Sequence, residues 1–424
     1  MAHILVLTLV FPPDGVSTAV IVGELSADLK AAGHDVTVVT TVPHYNRDGE
    51  AEARQPLVRV WGPLLYRSEF HGVRVLHVGM PRKSGNVTSR LLAWAQFHVL
   101  SVIAAVTLVR HVDVIIAPSP PLTVGLCAWL LGVLYRAPYI YNVLELYPDI
   151  AITLGGLKNR WIITFLFALE RFVYARARVI TVIAARMRRR ILEKSVPDDK
   201  VRLIPNFVDV NEMAPFPKGN AFSREHGLDR AFVVTYAGNM GPAQGLETVL
   251  AAAALLKQEA GLMFLLVGGG VLHDRLQASA REQGLENVLI LAHQPYDLVP
   301  QIYAASDLCL VPLALNTGAD AVPSKVYRIM ACARPVLACA DPESDLAELV
   351  RLARCGSVVP PGSPESMAQA VSDAMRNPSA RAAMGQAGRA HVMAHYARAS
   401  ISAQYEALVR EVAGVPSRQM NTHG

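Results

Sequence analysis

The chain has 424 residues, more than one ordinary domain holds, and with 52% hydrophobic residues it can bury two separate cores. A formal charge of +5 and an aromatic content of 7% argue against a nucleic-acid groove, which needs a strong basic surplus and stacking rings. The five cysteines (Cys127, Cys309, Cys332, Cys339 and Cys355) lie scattered in apolar runs without a CxxC pair, so they read as reduced core residues rather than disulfide or zinc ligands.

From the start of the chain, HILVLTLVFPPDG is apolar but has no basic leader or small-residue cleavage site, and it reads as a first buried strand rather than a signal peptide. DVTVVTT, VRVLHVG, DVIIAPS, PYIYNVL and RVITVI are the next expected strands. Helices fit between them at Ser17 to Ala32, Asn86 to Arg110, Pro121 to Tyr135 and Leu157 to Ala177, which is the alternation of a parallel sheet with crossover helices. The uncharged run from Leu91 to Val109 has the length of a transmembrane span. A span there would set strands of one sheet on opposite sides of a bilayer, so a buried or membrane-grazing crossover helix is expected instead. The polar, Pro- and Gly-containing stretch NEMAPFPKGNAFSREHGLD reads as a linker. After it a second alternation begins, with strands AFVVTYAG, LMFLLVG, NVLILAH, DLCLVP, RPVLACA and GSVVPP, followed by final helices from about Ala380 to Val412. The expected division is an N-terminal domain over 1–206, a C-terminal domain over 207–395, and a helix with a tail over 396–424 that crosses back to the first domain.

Open parallel sheets bind ligands beyond the carboxyl ends of their strands, where backbone amides point outward. In the first half that place holds FPPDGVST, where Gly15 fits a phosphate loop and a plain turn equally. In the second half YAGNMGPAQGLE carries Gly238, Asn239, Gly241, Gln244 and Gly245 from a strand into a helix, and LLVGGGVLHDRL repeats the device with Gly268, Gly269 and Gly270. Neither has the dinucleotide spacing, and no acid ends the next strand to read a ribose. A phosphate-bearing ligand other than a nicotinamide cofactor is expected, with a tight structural turn as the alternative at the second loop.

IPNFVD, YAGNMGPAQGLE, LLVGGG, ASDLCLVPL, PSKVYRIMACARPVLA and CGSVVPPGSPE follow one another in the order of the family-4 retaining glycosyltransferases, which this chain resembles. FPPDG, AGHDVTVVTTVPHY and YNVLELYPDIAITLGGLKN resemble the bacterial branch that builds cell-envelope polysaccharides, including fucosyl- and N-acetylfucosaminyl-transferases. The resemblance implies a GT-B-like α/β fold of two facing Rossmann-like domains with the donor in the cleft between them. It implies retaining transfer from a nucleoside-diphosphate sugar, UDP-sugar first and GDP-sugar second, to a lipid-linked or membrane-proximal saccharide, without metal or cofactor. The other readings are an epimerase or hydrolase on the same scaffold, and a degenerate homologue that only binds.

Several positions depart from the family. Asn239 and Gln244 stand where many relatives carry a basic pair on the diphosphate, which leaves Lys325, beside Ser324, to neutralise the leaving group. Asp320 and Arg328 stand where the family has two glutamates, the first near the donor sugar and the second near its ribose. Asp320 keeps an acceptor, whereas Arg328 offers only donors and reads as a phosphate contact or a helix-surface residue. Ala333 replaces a usual glycine, and Leu144 a usual histidine, with Glu145 and Asp149 the nearest carboxylates to take a proton from the acceptor. Gln294 and Pro295 fall where relatives grip the nucleotide base. His34 and His44 read as ordinary loop residues.

Between Lys158 and Lys194 lie ten Lys or Arg and two acids, Glu170 and Glu193, interleaved with Trp161, Phe165, Phe167 and Phe172. That pattern suits an anionic membrane surface, and with the resemblance it implies a cytoplasmic protein held peripherally at the inner face of the plasma membrane.

Overall fold

The computed structural model describes residues 1–44, 49–80, 87–153, 155–315 and 322–416, without the side chains of 87–91. Contacts divide it into two units, one of Met1–Pro205 with the segment from Ile401 onward, the other Asn206–Ser400.

The first unit runs β1 (His3–Leu7), α1 (Ser17–Ala31), β2 (Asp35–Thr41), α2 (Gly49–Arg54), β3 (Val58–Trp61), β4 (Leu65–Phe70) and β5 (Val73–Val78). It continues with α3 (Val87–Leu108), β6 (Val114–Ser119), α4 (Val124–Tyr135), β7 (Tyr139–Val143), α5 (Asp149–Thr153), α6 (Arg160–Arg176), β8 (Val179–Val182), α7 (Ala185–Glu193) and β9 (Val201–Leu203). The sheet order is β3-β4-β5-β2-β1-β6-β7-β8-β9. All pairings are parallel except β3 with β4 and β4 with β5. β1, β6, β7 and β8 are almost wholly buried on both faces, which explains their unbroken apolar runs. The β3–β4 pair was not anticipated, because β3 is exposed along its length and β4 mixes buried Leu65 and Ser68 with exposed Arg67 and Glu69, so neither shows the apolar run of the other strands. Nor was α7, whose sequence ARMRRRILE shows only the buried pair Met187 and Ile191 at helical spacing.

The second unit runs α8 (Ala221–Glu225), β10 (Phe232–Ala237), α9 (Leu246–Leu255), β11 (Leu262–Val267), α10 (His273–Glu282), β12 (Val288–Leu291) and α11 (Val299–Ala305). β13 (Leu308–Pro312), α12 (Lys325–Ala331), β14 (Val336–Cys339), α13 (Asp345–Leu352), β15 (Gly356–Val359), α14 (Pro364–Arg376) and α15 (Pro378–His395) complete it. Its sheet is parallel throughout, in the order β12-β11-β10-β13-β14-β15. The cysteines are free and buried. The expected long terminal helix is broken at Ala397, which forms a β-bridge with Val208, and α16 (Arg398–Ala413) follows. Most of α16 belongs to the first unit: Ser402 donates to Asp28 at 2.6 Å, and Asn142 donates to the Tyr405 hydroxyl.

The basic stretch is partly consumed inside the fold. Lys194 reaches the fully buried Glu170 at 2.7 Å and Asp149 at 2.6 Å, Arg190 meets Asp149 at 2.8 Å, and Arg188 meets Asp198 at 2.5 Å. Asp149 and Asp198 lie outside the window that gave the local surplus, so the charge read from the sequence overstates what faces solvent. The pairing also shows Asp149, one of the two carboxylates considered for the acceptor's proton, held by two cations.

The turn that closes α12 explains a residue the sequence marked as unusual. Ala333 sits at φ 53°, the left-handed region, and its carbonyl lies 2.2 Å from where a Cβ on Gly385 would stand, so the turn is locked against α15. Glycine carries no Cβ penalty there. Ala333→Gly should raise stability by about 1 kcal/mol, read as a higher melting temperature. A lower melting temperature in that variant would show that the methyl group contributes more by packing than it costs in backbone strain.

Candidate active site

In the second unit the chain winds outward from β10 in both directions, to β11 and β12 on one side and to β13 and beyond on the other. Loops leaving β10 and β13 therefore part company at the carboxyl edge, the place where an open α/β sheet makes room for a ligand. Gly238, at φ 148°, follows β10, and Lys325 arrives from beyond β13 with its Nζ 2.7 Å from where a Cβ on Gly238 would stand. Any other residue at 238 would push the ammonium away.

The same ammonium lies 3.8 Å from the centre of the Tyr236 ring, and the Tyr236 hydroxyl donates to the carbonyl of Asn239, fixing the ring under the loop. Among the described residues no carboxylate pairs with Lys325. Burial, reinforced by the Arg328 guanidinium one turn later, pushes its pKa down to about 7. Arg328 in turn lies over the Tyr296 ring at 5.1 Å, and Ser324 precedes Lys325 without capping the helix through its side chain.

The other loop residues divide between scaffold and site. Gln244 folds back so that its Oε1 accepts from Gly241 N at 3.1 Å, closing the turn rather than extending outward. Gly268 and Gly270 are required by protein backbone. A Cβ on Gly268 would stand 1.9 Å from the Gly238 carbonyl oxygen, and one on Gly270 2.5 Å from that of Met240. Asn239 lies between these loops, with its amide nitrogen 2.9 Å from where a Cβ on Gly241 would be. Beyond β12, Gln294 donates to the Ala292 carbonyl at 3.2 Å, and Pro295 leads into the turn that carries Tyr296. Asp320 lies outside the described residues.

The first unit repeats the layout, with its chain winding outward from β1 toward β2 and toward β6. Gly15 is exposed just beyond β1. Beside it the buried Asp14 accepts from His44 N at 2.8 Å, and His44 Nδ1 meets Thr41 Oγ1 at 2.9 Å, tying the loops after β1 and β2 together. Glu145 follows β7, and desolvation by the surrounding protein raises its carboxyl above the ordinary range. Among the described residues no cluster of three His, Cys, Asp or Glu side chains could hold a metal ion.

Residues 17–206 match the family Glycosyl transferase 4-like domain, and residues 220–391 match Glycosyl transferases group 1. The chain is a GT-B glycosyltransferase of the family-4 type. It is 27% identical over 355 residues to an Escherichia coli protein named as the colanic acid biosynthesis glycosyl transferase WcaI, a match covering 82% of this chain and 85% of that one. Over 217 residues it is 28% identical to the GDP-mannose-dependent alpha-(1-6)-phosphatidylinositol monomannoside mannosyltransferase of Mycolicibacterium smegmatis, covering 50% of this chain and 57% of the relative. Among solved structures, sucrose-phosphate synthase from Thermosynechococcus elongatus superposes with a TM-score of 0.74 at 18% identity, over 98% of this chain and all of that one. The Anabaena protein Alr3699/HepE in complex with UDP-glucose superposes at 0.72 and 17% identity, over 97% of this chain and all of that one.

Two features, one in each unit, were not expected from the sequence. Tyr236 and Tyr296, the platforms beneath Lys325 and Arg328, look like ordinary core aromatics; their position, at a strand end before a glycine loop and just after the base-side turn, is the available signal. Asp14 and His44 form one unit only because β1 and β2 are neighbours in register.

A lysine that is partly neutral when its counter-charge is absent makes anion binding pH-dependent. Its free pKa is about 7, and a bound diphosphate raises it, so binding takes up a proton above that pH. Affinity for UDP-glucose, whose diphosphate diester keeps its charge throughout, should be highest below pH 7 and fall by up to about tenfold per unit above it. Lys325→Arg should flatten the profile, since a guanidinium stays protonated. Calorimetry between pH 6 and 9 measures both; a flat wild-type profile removes Lys325 from the diphosphate.

Proposed function

We propose that the enzyme moves a hexosyl group from a nucleoside-diphosphate sugar to a lipid-linked or membrane-proximal saccharide, with retention, in cell-envelope polysaccharide or glycolipid synthesis. The observation that carries the donor half is the Lys325 ammonium, desolvated, with no carboxylate partner among the described residues and held at the switch point of the second sheet. It is suited to the charge that develops on the β-phosphate as the anomeric carbon–oxygen bond breaks. The acceptor hydroxyl forms the new bond to the anomeric carbon, and its proton passes to the departing phosphate oxygen or to Glu145, whose carboxyl is held above the ordinary carboxylate range by desolvation. No metal is assigned a part in this scheme.

UDP stands first as the carrier, supported by the UDP-glucose bound to the Anabaena neighbour, and GDP second, supported by the name of the mycobacterial relative. A lipid-linked acceptor draws support from the same relative, which is named for a phosphatidylinositol mannoside, and an envelope polysaccharide from the colanic acid relative.

Nucleotide release from UDP-sugars should depend on an added lipid-linked or soluble saccharide acceptor, and Lys325→Ala should lower turnover by about a hundredfold or more. Release of free sugar without acceptor would replace transfer by hydrolysis, and unchanged turnover in the variant would take Lys325 out of catalysis.

Arg328 offers only donors where the family commonly offers a carboxylate and lies over the Tyr296 ring, so it is not a ribose ligand, and Arg328→Glu should leave UDP and GDP affinity no better than in the wild type. A clear gain in calorimetry would show that this helix position still faces the ribose.

A further inference from the structure

Right-handed crossovers from β5 to β6, β6 to β7 and β7 to β8 lay α3, α4 and α6 side by side on one face of the first sheet, where α3 packs on α4 and α4 on α6. Their inner sides are core: Phe97, Ala104, Leu131 and Val173 are buried. Their outer sides should be polar in a layer that faces water. They are not. Val99 and Ile103 on α3, Leu130 and Leu134 on α4, and Trp161 and Phe165 on α6 stand exposed, Trp161 at 86%. α4, with the sequence VGLCAWLLGVLY, has no charged side chain anywhere. The Asn159 side chain caps α6 by accepting from Trp161 N and Ile162 N, so the most exposed ring sits on an ordered first turn rather than on a loose end.

The charge around this layer has one sign. Arg110 after α3, Arg136 at the end of α4, and Lys158, Arg160 and Arg171 around α6 are exposed, and among the described residues none of the five pairs with an acid. No acid lies in α3 or α4, and the single acid of α6, Glu170, is buried against Lys194. A second copy of the chain docked here about a two-fold axis would set this cationic rim against itself. An anionic bilayer meets both demands: hydrocarbon for the apolar centre and phosphate for the rim.

We propose that the α3–α4–α6 face is a docking surface for an anionic lipid bilayer, with its outward apolar side chains entering one leaflet and the three helices lying along the interface. The site goes beyond the donor chemistry and does not depend on it. It also shifts the membrane contact from the charged segment between Lys158 and Lys194 to a three-helix apolar layer, with the cations as its border. Among the described residues no helix is long and apolar enough to cross a membrane, and α3 has one side committed to the core, so the face lies on the bilayer.

The test is sedimentation of the full chain with vesicles of phosphatidylcholine alone and with added phosphatidylglycerol, at low and high salt, with tryptophan quenching by brominated lipid. Wild type should bind the anionic vesicles and be quenched, and Trp161→Phe should lose most of the quenching. Trp161→Ser with Phe165→Ser should weaken partition by about tenfold or more, and Lys158→Gln, Arg160→Gln and Arg171→Gln together should remove the preference for phosphatidylglycerol. Melting temperature and UDP-glucose affinity of each variant establish that it is folded and competent for donor, so loss of lipid binding is separable from loss of the donor reading. No binding to either vesicle, or binding indifferent to the Trp161 and Phe165 changes, would overturn the proposal. A concentration-dependent dimer abolished by those same changes would assign the face to a second copy instead.

Discussion

A parallel sheet whose strands are laid outward from one central strand must send two neighbouring loops in opposite directions, and this constraint gathers the candidate site residues of each unit. In the second unit it brings Lys325, which opens α12 beyond β13, to Gly238 at the end of the adjacent β10, though the two are far apart in sequence and β11 and β12 are built between them. In the first unit it brings the loops after β1 and β2 close enough for Asp14 to hold the His44 amide, and sends Glu145 out along the same edge. The strands supply the position and the loops the chemistry. Gly268 and Gly270 are spent on letting the two glycine loops interlock, which fixes Gly238 where the lysine needs it.

The electrostatics of that lysine follow from its neighbours. An ammonium over the face of Tyr236 keeps part of its stabilisation through the ring, but the ring cannot replace a counter-ion or water, so the charged form is disfavoured until an anion arrives. Arg328 adds like charge from the next turn and acts in the same direction. Beside this Gln244 turns inward to close its own loop, and among the described residues Lys325 has no carboxylate partner.

The fold was largely legible because buried parallel strands cannot hide: ILVL, VIIAPS and FLLV can pack only with apolar neighbours on both faces. The β3–β4 hairpin was not, since a half-exposed strand such as LYRSEF, one in from the edge, has the composition of a loop. Lys325 was legible through its motif, but its energetics were not, because nothing in PSKVY says that Tyr236 will lie beneath it. The basic segment shows the opposite error. Its surplus was real in sequence, yet Asp149 and Asp198 enter from outside the window and take up Arg188, Arg190 and Lys194. Charge counted along a chain measures composition; charge on a surface depends on which acids the fold brings over.

The same distinction separates the two histories of the Leu91–Val109 run. In sequence it has the length of a span, and length alone cannot say how many sides of a helix are apolar for a reason internal to the protein. In the fold the reason for one side is visible, because Phe97, Ser101, Ala104 and Ala105 are fully buried in the layer beneath. The opposite side has no such reason. Val99, Ile103 and Val106 remain apolar where a solvated crossover helix would carry lysine or glutamate, and α4 and α6 continue the pattern beside them. Three adjacent helices with this composition make a contiguous feature of the surface, unlike single exposed side chains, which carry no meaning of their own. Their backbones are already hydrogen-bonded within each helix, so a phase that offers neither donors nor acceptors can cover them at no cost in unpaired polar groups.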